Sequence, residues 1–415
     1  MKNAPYSFAI LLSVALFLIA GTTQGWSQNL VNSRFGQGLS VMAKDSSFLI
    51  NAGFRFQNLF VYEVPAGEGG LDFSESHTSW LVRRSRLKFD GFAYSPRLKY
   101  KLEIGMTNSD IAGASRYSRN APFLILDAVA QWNFAGNFVL WAGQTKLPGN
   151  RERVISSADL QFVERSMLNS LYNIDRDMGF QLRHHFKIGK VIIREIAAVS
   201  QGEGRNVTAG NIGGFGYTGR VEVLPFGSFA GKGDYVSSDL AREQQPKLSV
   251  AASYDYNDHA PRTGGQLGEY VLEPRVIISE DELRSLSTVF IDMMFKYRGI
   301  SVMAEYVNKQ SDKSPLVADT AGNSISYLTG TGLNIQAGYL FKNNWEVAGR
   351  YTTTNTDEIT EKADHQQYTL GVSRYIVGHK LKVQTDVIYT TEKEFDSPDF
   401  VEDGIMVRLQ LEVHL

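Results

Sequence analysis

Arg84, Arg86 and Lys88 occupy every second position of the run Val82-Arg83-Arg84-Ser85-Arg86-Leu87-Lys88-Phe89. In an extended chain alternate side chains share a face, so these three cations point one way while Leu87, Phe89 and Ala93 point the other. Stacked guanidinium and ammonium groups replace part of an anion's hydration shell and pass the ion from site to site. Arginine adds a fork that matches phosphate-like oxygens, whereas lysine is a mobile point charge. The same parity argument turns Arg55 inward between Phe54 and Phe56, and adds Lys99, Lys101, Lys146 and Arg183 to the same wall. Only a few acids, such as Asp90, Glu103 and Asp127, offset this ladder. The chemistry on offer is anion conduction. Further along, Arg220 with Glu222, Lys296 with Asp292, Arg350 with Glu346, Lys382 with Asp386 and Arg408 with Glu412 are balanced pairs, read as braces of a polar lumen.

A ladder of this kind needs strands to carry it. Turn and loop signals divide the chain into sixteen segments, drawn at 47–62, 80–94, 98–107, 122–134, 137–147, 178–187, 190–199, 215–224, 247–257, 287–298, 299–308, 331–341, 345–353, 366–376, 379–390 and 405–415. Leu98, Tyr100, Leu102, Ile104 and Met106 alternate with Lys99, Lys101, Glu103 and Thr107. In the last segment Ile405, Val407, Leu409, Leu411, Val413 and Leu415 alternate with Arg408, Gln410, Glu412 and His414. A period of two with one apolar face marks a half-buried strand. The connections alternate in length as well. Those at 63–79, 108–121, 148–177, 200–214, 258–286, 309–330, 354–365 and 391–403 are long. Most of the others are tight, at Ser95–Pro96, Ala135–Gly136, Ile188–Gly189, Arg298–Gly299, Lys342–Asn344 and Val377–Gly378. An even strand number with long outer loops and short periplasmic turns is the rule of transmembrane β-barrels. The fold class is therefore all-β: a sixteen-stranded antiparallel transmembrane barrel, wide enough for an aqueous channel. The connection 225–246 breaks the rule, being long where a tight turn is expected.

Composition agrees with export and with a wet interior. Residues 1–27 read as a signal peptide, with Lys2 at the positive end, an apolar stretch from Ala9 to Ala20, and small residues Gly21, Thr22, Thr23 and Gly25 after it. That stretch is too short for a membrane anchor. Residues 28–46 read as a periplasmic N-terminal stretch and 47–415 as the barrel. The chain has no cysteine, which removes disulfides and thiolate metal sites. Hydrophobic content of 43% is low for a membrane protein only if every spanning residue must be apolar, and in a barrel half of each strand faces water. A formal charge of −2 supplies no global basic field, so any anion preference depends on where charges sit.

Rival chemistries find little support. Adjacent His184 and His185 must point to opposite faces of a strand, which disfavours a shared metal. Gly214-x-Gly216-x-x-Gly219 matches a dinucleotide fingerprint by letters but opens a strand, not a helix. There is no Gly-x-Ser-x-Gly elbow and no P-loop. We expect no catalysis, no cofactor and no nucleic-acid partner. Loops 258–286 and 309–330 have the length for an adhesive role, with Arg262, Glu269, Glu273 and Arg275 in the first, and carry no receptor motif.

Between strands five and six lies the longest loop, opening Gly143-Gln144-Thr145-Lys146-Leu147-Pro148 and passing through Arg151-Glu152-Arg153 and Val163-Glu164-Arg165 to Arg176-Asp177-Met178-Gly179. A loop of that length needs a reason, and in such a barrel the natural one is to fold inward and narrow the channel. The run "GQTKLP…ERVISSADLQFVERS…RDMGFQL", with "RRSRLKFDG", "LDAVAQW", "VEVLPFG" and "LGVSRYIVGHKLKVQTDVIY" in order, resembles the phosphate-selective porins O and P of Gram-negative bacteria. The resemblance spans most of the chain after residue 46. It implies a homotrimeric porin of the outer membrane, in contact with its lipid and passing small anions, with the third loop in the lumen. By motif, Lys146 would stand at the constriction, Arg84 and Arg86 on the facing wall, and Asp127 nearby. Arg151, Arg153 and Arg165 would lie in or anchor the loop. One departure is Gly149, where the family usually has an aromatic residue.

Overall fold

Alternation along each strand is satisfied here by a closed sheet, with apolar side chains turned outward to lipid and polar ones inward to water. The computed structural model describes residues 29–32, 34–67, 69–112, 118–208, 212–272, 282–318, 323–360, 362–394 and 401–415. The signal-peptide segment 1–27 and the loop residues Glu273 and Arg275 lie outside that range. Sixteen antiparallel strands form the wall: β1 (Phe48–Gly67), β2 (His77–Ala93), β3 (Ser95–Gly105), β4 (Ile125–Ala135), β5 (Phe138–Lys146), β6 (Arg176–Ile188), β7 (Val191–Ser200) and β8 (Gly216–Leu224). The second half comprises β9 (Lys247–Ala260), β10 (Arg284–Tyr297), β11 (Ile300–Ser311), β12 (Gly330–Leu340), β13 (Trp345–Thr356), β14 (Asp364–Tyr375), β15 (Leu381–Lys393) and β16 (Val401–His414).

Each strand pairs with the next, and β16 returns to β1 in register from Gly404↔Pro65 to His414↔Arg55, so the sheet closes. Before β1, residues Leu39–Met42 pair with Leu49–Ala52, extending the sheet just beyond the end of β16; the stretch expected to be merely periplasmic thus includes a short strand. Tight turns tax the backbone, and several carry left-handed residues: Tyr94 (φ 65°), Gly136 (φ 49°), Gly189 (φ 59°) and Gly299 (φ 92°). No helix among the described residues is long and apolar enough to cross a membrane.

Burial is inverted relative to a water-soluble protein. On β16, Leu409 and Leu411 are exposed while Arg408, Gln410 and Glu412 are buried. Outward aromatics such as Trp80, Tyr94, Trp132, Phe180 and Trp345 remain exposed, as lipid-facing residues and interface girdles require.

The balanced charge pairs are re-sorted by the sheet. Residues four apart on one strand are about 13 Å distant, whereas cross-strand neighbours are about 5 Å apart. Accordingly Arg408 bonds Asp386 across the ladder at 2.7 Å, and Lys382 meets Glu412 at 3.6 Å. Asp292 is taken by Arg220 and Arg151, not by Lys296. Arg350 faces Glu152, not Glu346. Of the five expected same-strand pairs only Arg220–Glu222, two residues apart, is made, at 2.8 Å.

Candidate functional site

The third outer loop, L3 (147–175), departs from β5 and enters the lumen. Its apolar residues determine where it lies. Leu147, Leu168, Tyr172 and Ile174 pack with Ala198 of β7, Phe290 of β10 and Val307 of β11. Ile155 and Leu160 pack with Ile192, Leu224, Met294 and Met303. These wall residues face inward although apolar, so β10 and β11 carry apolar side chains on both faces. Each such side chain, once buried, contributes about 1.5–3 kcal/mol. That burial holds the apolar part of L3 against the β7–β11 side, while Ser157 and Glu164 reach across to Arg55 of β1 and Arg84 of β2.

Polar anchors complete the docking. Arg151 is fully buried: its Nε donates to Asp292 at 2.7 Å, its Nη2 to Ser249 at 2.9 Å, and its Nη1 to the Asp234 carbonyl at 2.9 Å. Gln161 donates to Glu346 and Ser301, and the Val163 amide to Asp386. Asp234 belongs to the anomalous fourth periplasmic connection, T4 (225–246). T4 meets L3 from below, the Ser237 amide donating to the Asp159 carbonyl at 3.0 Å, while Ser238 bonds Glu346 and Tyr375. The long connection is long because it too is folded against the lumen contents.

Two cavities remain along the opposite wall. One, of about 300 Å³, is lined by Arg55, Arg86, Lys88 and Lys101 together with Asp90, Glu103 and Asp159. The other, of about 150 Å³, is lined by eight cations: Arg83, Arg84, Arg86, Lys146, Arg153, Arg165, Arg176 and Arg205. Arg86 borders both. Five carboxylates form ion pairs with members of this set. Glu164 takes Arg83 at 2.7 Å and Arg84 at 2.6 Å. Arg86 is shared by Glu103 at 3.2 Å and Asp110 at 2.9 Å. Asp127 takes Arg176 at 3.1 Å, and Asp175 pairs with Arg153.

Five of the eight cations are thus paired, and the three that remain are identifiable. Lys146, Arg165 and Arg205 form no ion pair among the described residues. Lys146 Nζ donates to the carbonyls of Arg153, Val154 and Ile155, at 2.7 to 3.3 Å, where the helical turn Arg151–Val154 ends. Arg165 donates to the carbonyls of Glu152 and Ile155 at 2.8 and 2.7 Å. Arg205, from the loop after β7, donates to the carbonyls of Phe123 and Asp110 at 3.2 and 2.7 Å. Carbonyl dipoles orient a cation without cancelling its charge. Burial, with Arg153 and Arg84 nearby, pushes the Arg165 guanidinium well below its ordinary value. Burial likewise lowers Arg205 to about 10. Burial alone would raise the Glu164 carboxyl, but Arg84 and Arg83 hold it down at about 2.

The residues singled out in the sequence are distributed as follows. Arg84, Arg86, Lys146, Arg153 and Arg165 come together at the smaller cavity, and Arg55, Lys88 and Lys101 line the larger one. Asp127 accepts from Lys101, Thr145 and Arg176, tying three elements. The inward residues of β5 are Trp141 and Thr145, by their contacts with Arg183 and Asp127. Lys146 reaches the cavity because it is the last residue of the strand, where the chain turns into L3. Arg151 borders neither cavity, being sunk in the far wall, and Arg183 stacks 3.8 Å from the Trp141 ring centroid away from both. The ladder is also less free than the sequence suggests: Arg55 pairs with Glu412, Lys88 with Asp90, and Lys101 with Glu103 and Asp127.

Sequence reasoning missed Arg83, Arg176, Arg205 and Glu164. A register shift where Gln57 opposes Arg84 and Asn58 opposes Val82 leaves Arg83 as the extra residue, so two consecutive arginines reach Glu164. Strict alternation cannot produce that. Glu164 and Arg176 sat within the loop motif without a role, and nothing local marks Arg205.

A closed sixteen-stranded barrel whose third loop narrows a polar lumen defines an outer-membrane porin. The chain belongs to the phosphate-selective porin O and P family, whose model matches residues 50–414. An uncharacterized protein of Aquifex aeolicus is 25% identical over 362 residues, covering 78% of this chain and 79% of its own. Among solved structures, Salmonella typhi OmpF in complex with daunomycin aligns with a TM-score of 0.55 and 12% identity, over 90% of this chain and 99% of that one. The trimer form of OmpT, an outer-membrane protein of Vibrio cholerae, aligns with a TM-score of 0.51 and 9% identity, over 89% and 100%. These structures share the barrel fold.

Proposed function

We propose that this porin prefers small anions, phosphate or ions of similar shape, and conducts them passively along the β1–β6 wall. The observation that carries this reading is the set of three uncompensated cations, Lys146, Arg165 and Arg205, at the narrower cavity. Arg84 and Arg86 add forked donors that suit tetrahedral oxyanions. An anion entering this cavity meets charge already oriented and largely desolvated, so its attraction is stronger than at an exposed surface. We further propose export by the segment 1–27 and assembly as a homotrimer, the latter supported by the trimer form of OmpT.

The test is single-channel reversal potential in planar bilayers under a potassium chloride gradient, repeated with added phosphate. Chloride selectivity with phosphate block of the current supports the proposal. A large, weakly selective conductance would reduce the protein to a general porin whose paired charges brace the lumen.

A further inference from the structure

At the loop end of the barrel, outside the lining of the two cavities, three potential metal ligands converge. His365, the second residue of β14, is paired in register with Glu392, near the end of β15. Thr369 and Ser373 of β14, and Asp386 and Thr390 of β15, are buried toward the lumen, so parity sets His365 and Glu392 on that same inner face. The third residue is Asp403. Ordinary alternation on β16 would group it with Ile405, Val407 and Leu409, on the lipid side. The register between β15 and β16 shifts at this point: Thr390 opposes Gly404 and Thr391 opposes Glu402, leaving Asp403 as the extra residue. Bulges at barrel rims re-aim side chains, and here the carboxylate is turned to join its two neighbours. Gly404 is required for this geometry, since a Cβ there would stand 2.6 Å from the Val64 carbonyl oxygen.

One ligand atom from each of His365, Glu392 and Asp403 lies within 4.8 Å of the others. His365 Nδ1 is buried and has no hydrogen-bond partner among the described residues. A buried polar atom left without a partner costs free energy, and a coordinated cation would satisfy it. Ligand atoms around tetrahedral zinc stand about 3.3 Å apart, so closure requires movements of roughly 1 Å. The rotatable Glu392 side chain accommodates that.

We propose that His365, Glu392 and Asp403 form a site for a divalent transition metal of the zinc class, clamping β14, β15 and β16 at the outer rim. One imidazole with two carboxylates favours zinc-like ions over calcium or magnesium, which take all-oxygen shells. Three protein ligands leave a position for water. The ion would also cancel the two carboxylate charges that face one another across the bulge.

Titration calorimetry of the full-length barrel folded in detergent, with zinc chloride as the probe, tests this. The expected result is one zinc ion per chain, with affinity falling by about 100-fold in both His365→Ala and Asp403→Asn, while magnesium gives no comparable heat. His259→Ala serves as the control, because His259 and Asp258 form an exposed pair at 2.8 Å that could bind zinc by itself. Heat-modifiable gel migration verifies that each variant is folded, and Glu392→Gln supplies a second disruption should one of the others fail. Absence of zinc binding, or binding unchanged in the folded variants, or binding lost only in His259→Ala, would overturn the proposal.

Discussion

Lys146 and Arg151 stand five residues apart in one loop motif, yet their surroundings are opposite. Arg151 is locked into the far wall among Asp292, Glu222 and Ser249, with no exposed surface and its charge matched. Lys146 is held by three carbonyls and borders a cavity where cations outnumber their paired carboxylates. The lumen is thus divided. The β7–β11 side is packed with L3 and T4, its Arg151 and Arg220 matched to Asp292 and Glu222 and its buried Lys296 and Lys309 held by the carbonyls of Ser238 and Gly264; the β1–β6 side holds the cavities and the cluster of eight cations. A cation braces the barrel on one side and is available to a passing ion on the other, and what decides is the local balance of carboxylates.

The most severe way to break this division is to undock L3. Arg151→Ala leaves Asp292 and Glu222 short of one cation in a fully buried cluster, and breaking such a group costs about 3–5 kcal/mol. We expect a lower unfolding midpoint in detergent and a larger, noisier single-channel conductance. Unaltered stability would mean that Arg220, which bonds both carboxylates, and Arg194, which bonds Glu222, suffice.

Charge changes on the open side act on selectivity, and because Arg84 and Arg86 also pair with Glu164, Glu103 and Asp110, heat-modifiable gel migration is used to confirm that each variant is folded. A unit charge about 10 Å from a passing ion is worth roughly 0.4–1.7 kcal/mol for effective dielectric constants between about 80 and 20. Lys146→Glu changes two units, so the anion-to-cation permeability ratio should fall by about tenfold. Arg84→Glu with Arg86→Glu should act in the same direction. Unchanged reversal potentials in folded variants would remove these residues from the ion path.

Glu164→Gln sharpens the comparison by moving the balance the other way. It releases Arg83 and Arg84 and adds one net positive charge to the cavity. Anion preference should rise by about threefold. A fall would show that the Glu164 latch matters more for holding L3 than for masking charge.

The smallest effect is expected from pH. The Glu164 carboxyl is held at about 2, below its ordinary 4.5. A depressed carboxyl contributes stability that is fully present above the unfolded value and is lost as pH falls through the folded one. Conductance and selectivity should therefore hold steady between about pH 7 and pH 5, and the latch should weaken only on approach to pH 2. A selectivity change centred near pH 4.5 would show that the pairing with Arg83 and Arg84 is absent in the membrane.

Strand number, strand order and the face each strand shows to lipid were legible in the sequence, because a period of two is a local property and the membrane penalises charge on one face. Arg84 and Lys101 could be assigned to the lumen by parity alone, and L3 could be recognised by its length and motif. The tertiary structure alone decided which cations are free. Ion pairs form at 2.6 to 3.1 Å between groups separated by 80 residues, as in Arg84–Glu164, or by 49, as in Arg176–Asp127. No local pattern encodes such separations. A one-residue bulge was enough to bring Arg83 in and, at the rim, to turn Asp403 toward His365. Alternation specifies faces; bulges, loop docking and cross-strand distance specify partners, and the charge left on this channel follows from the partners.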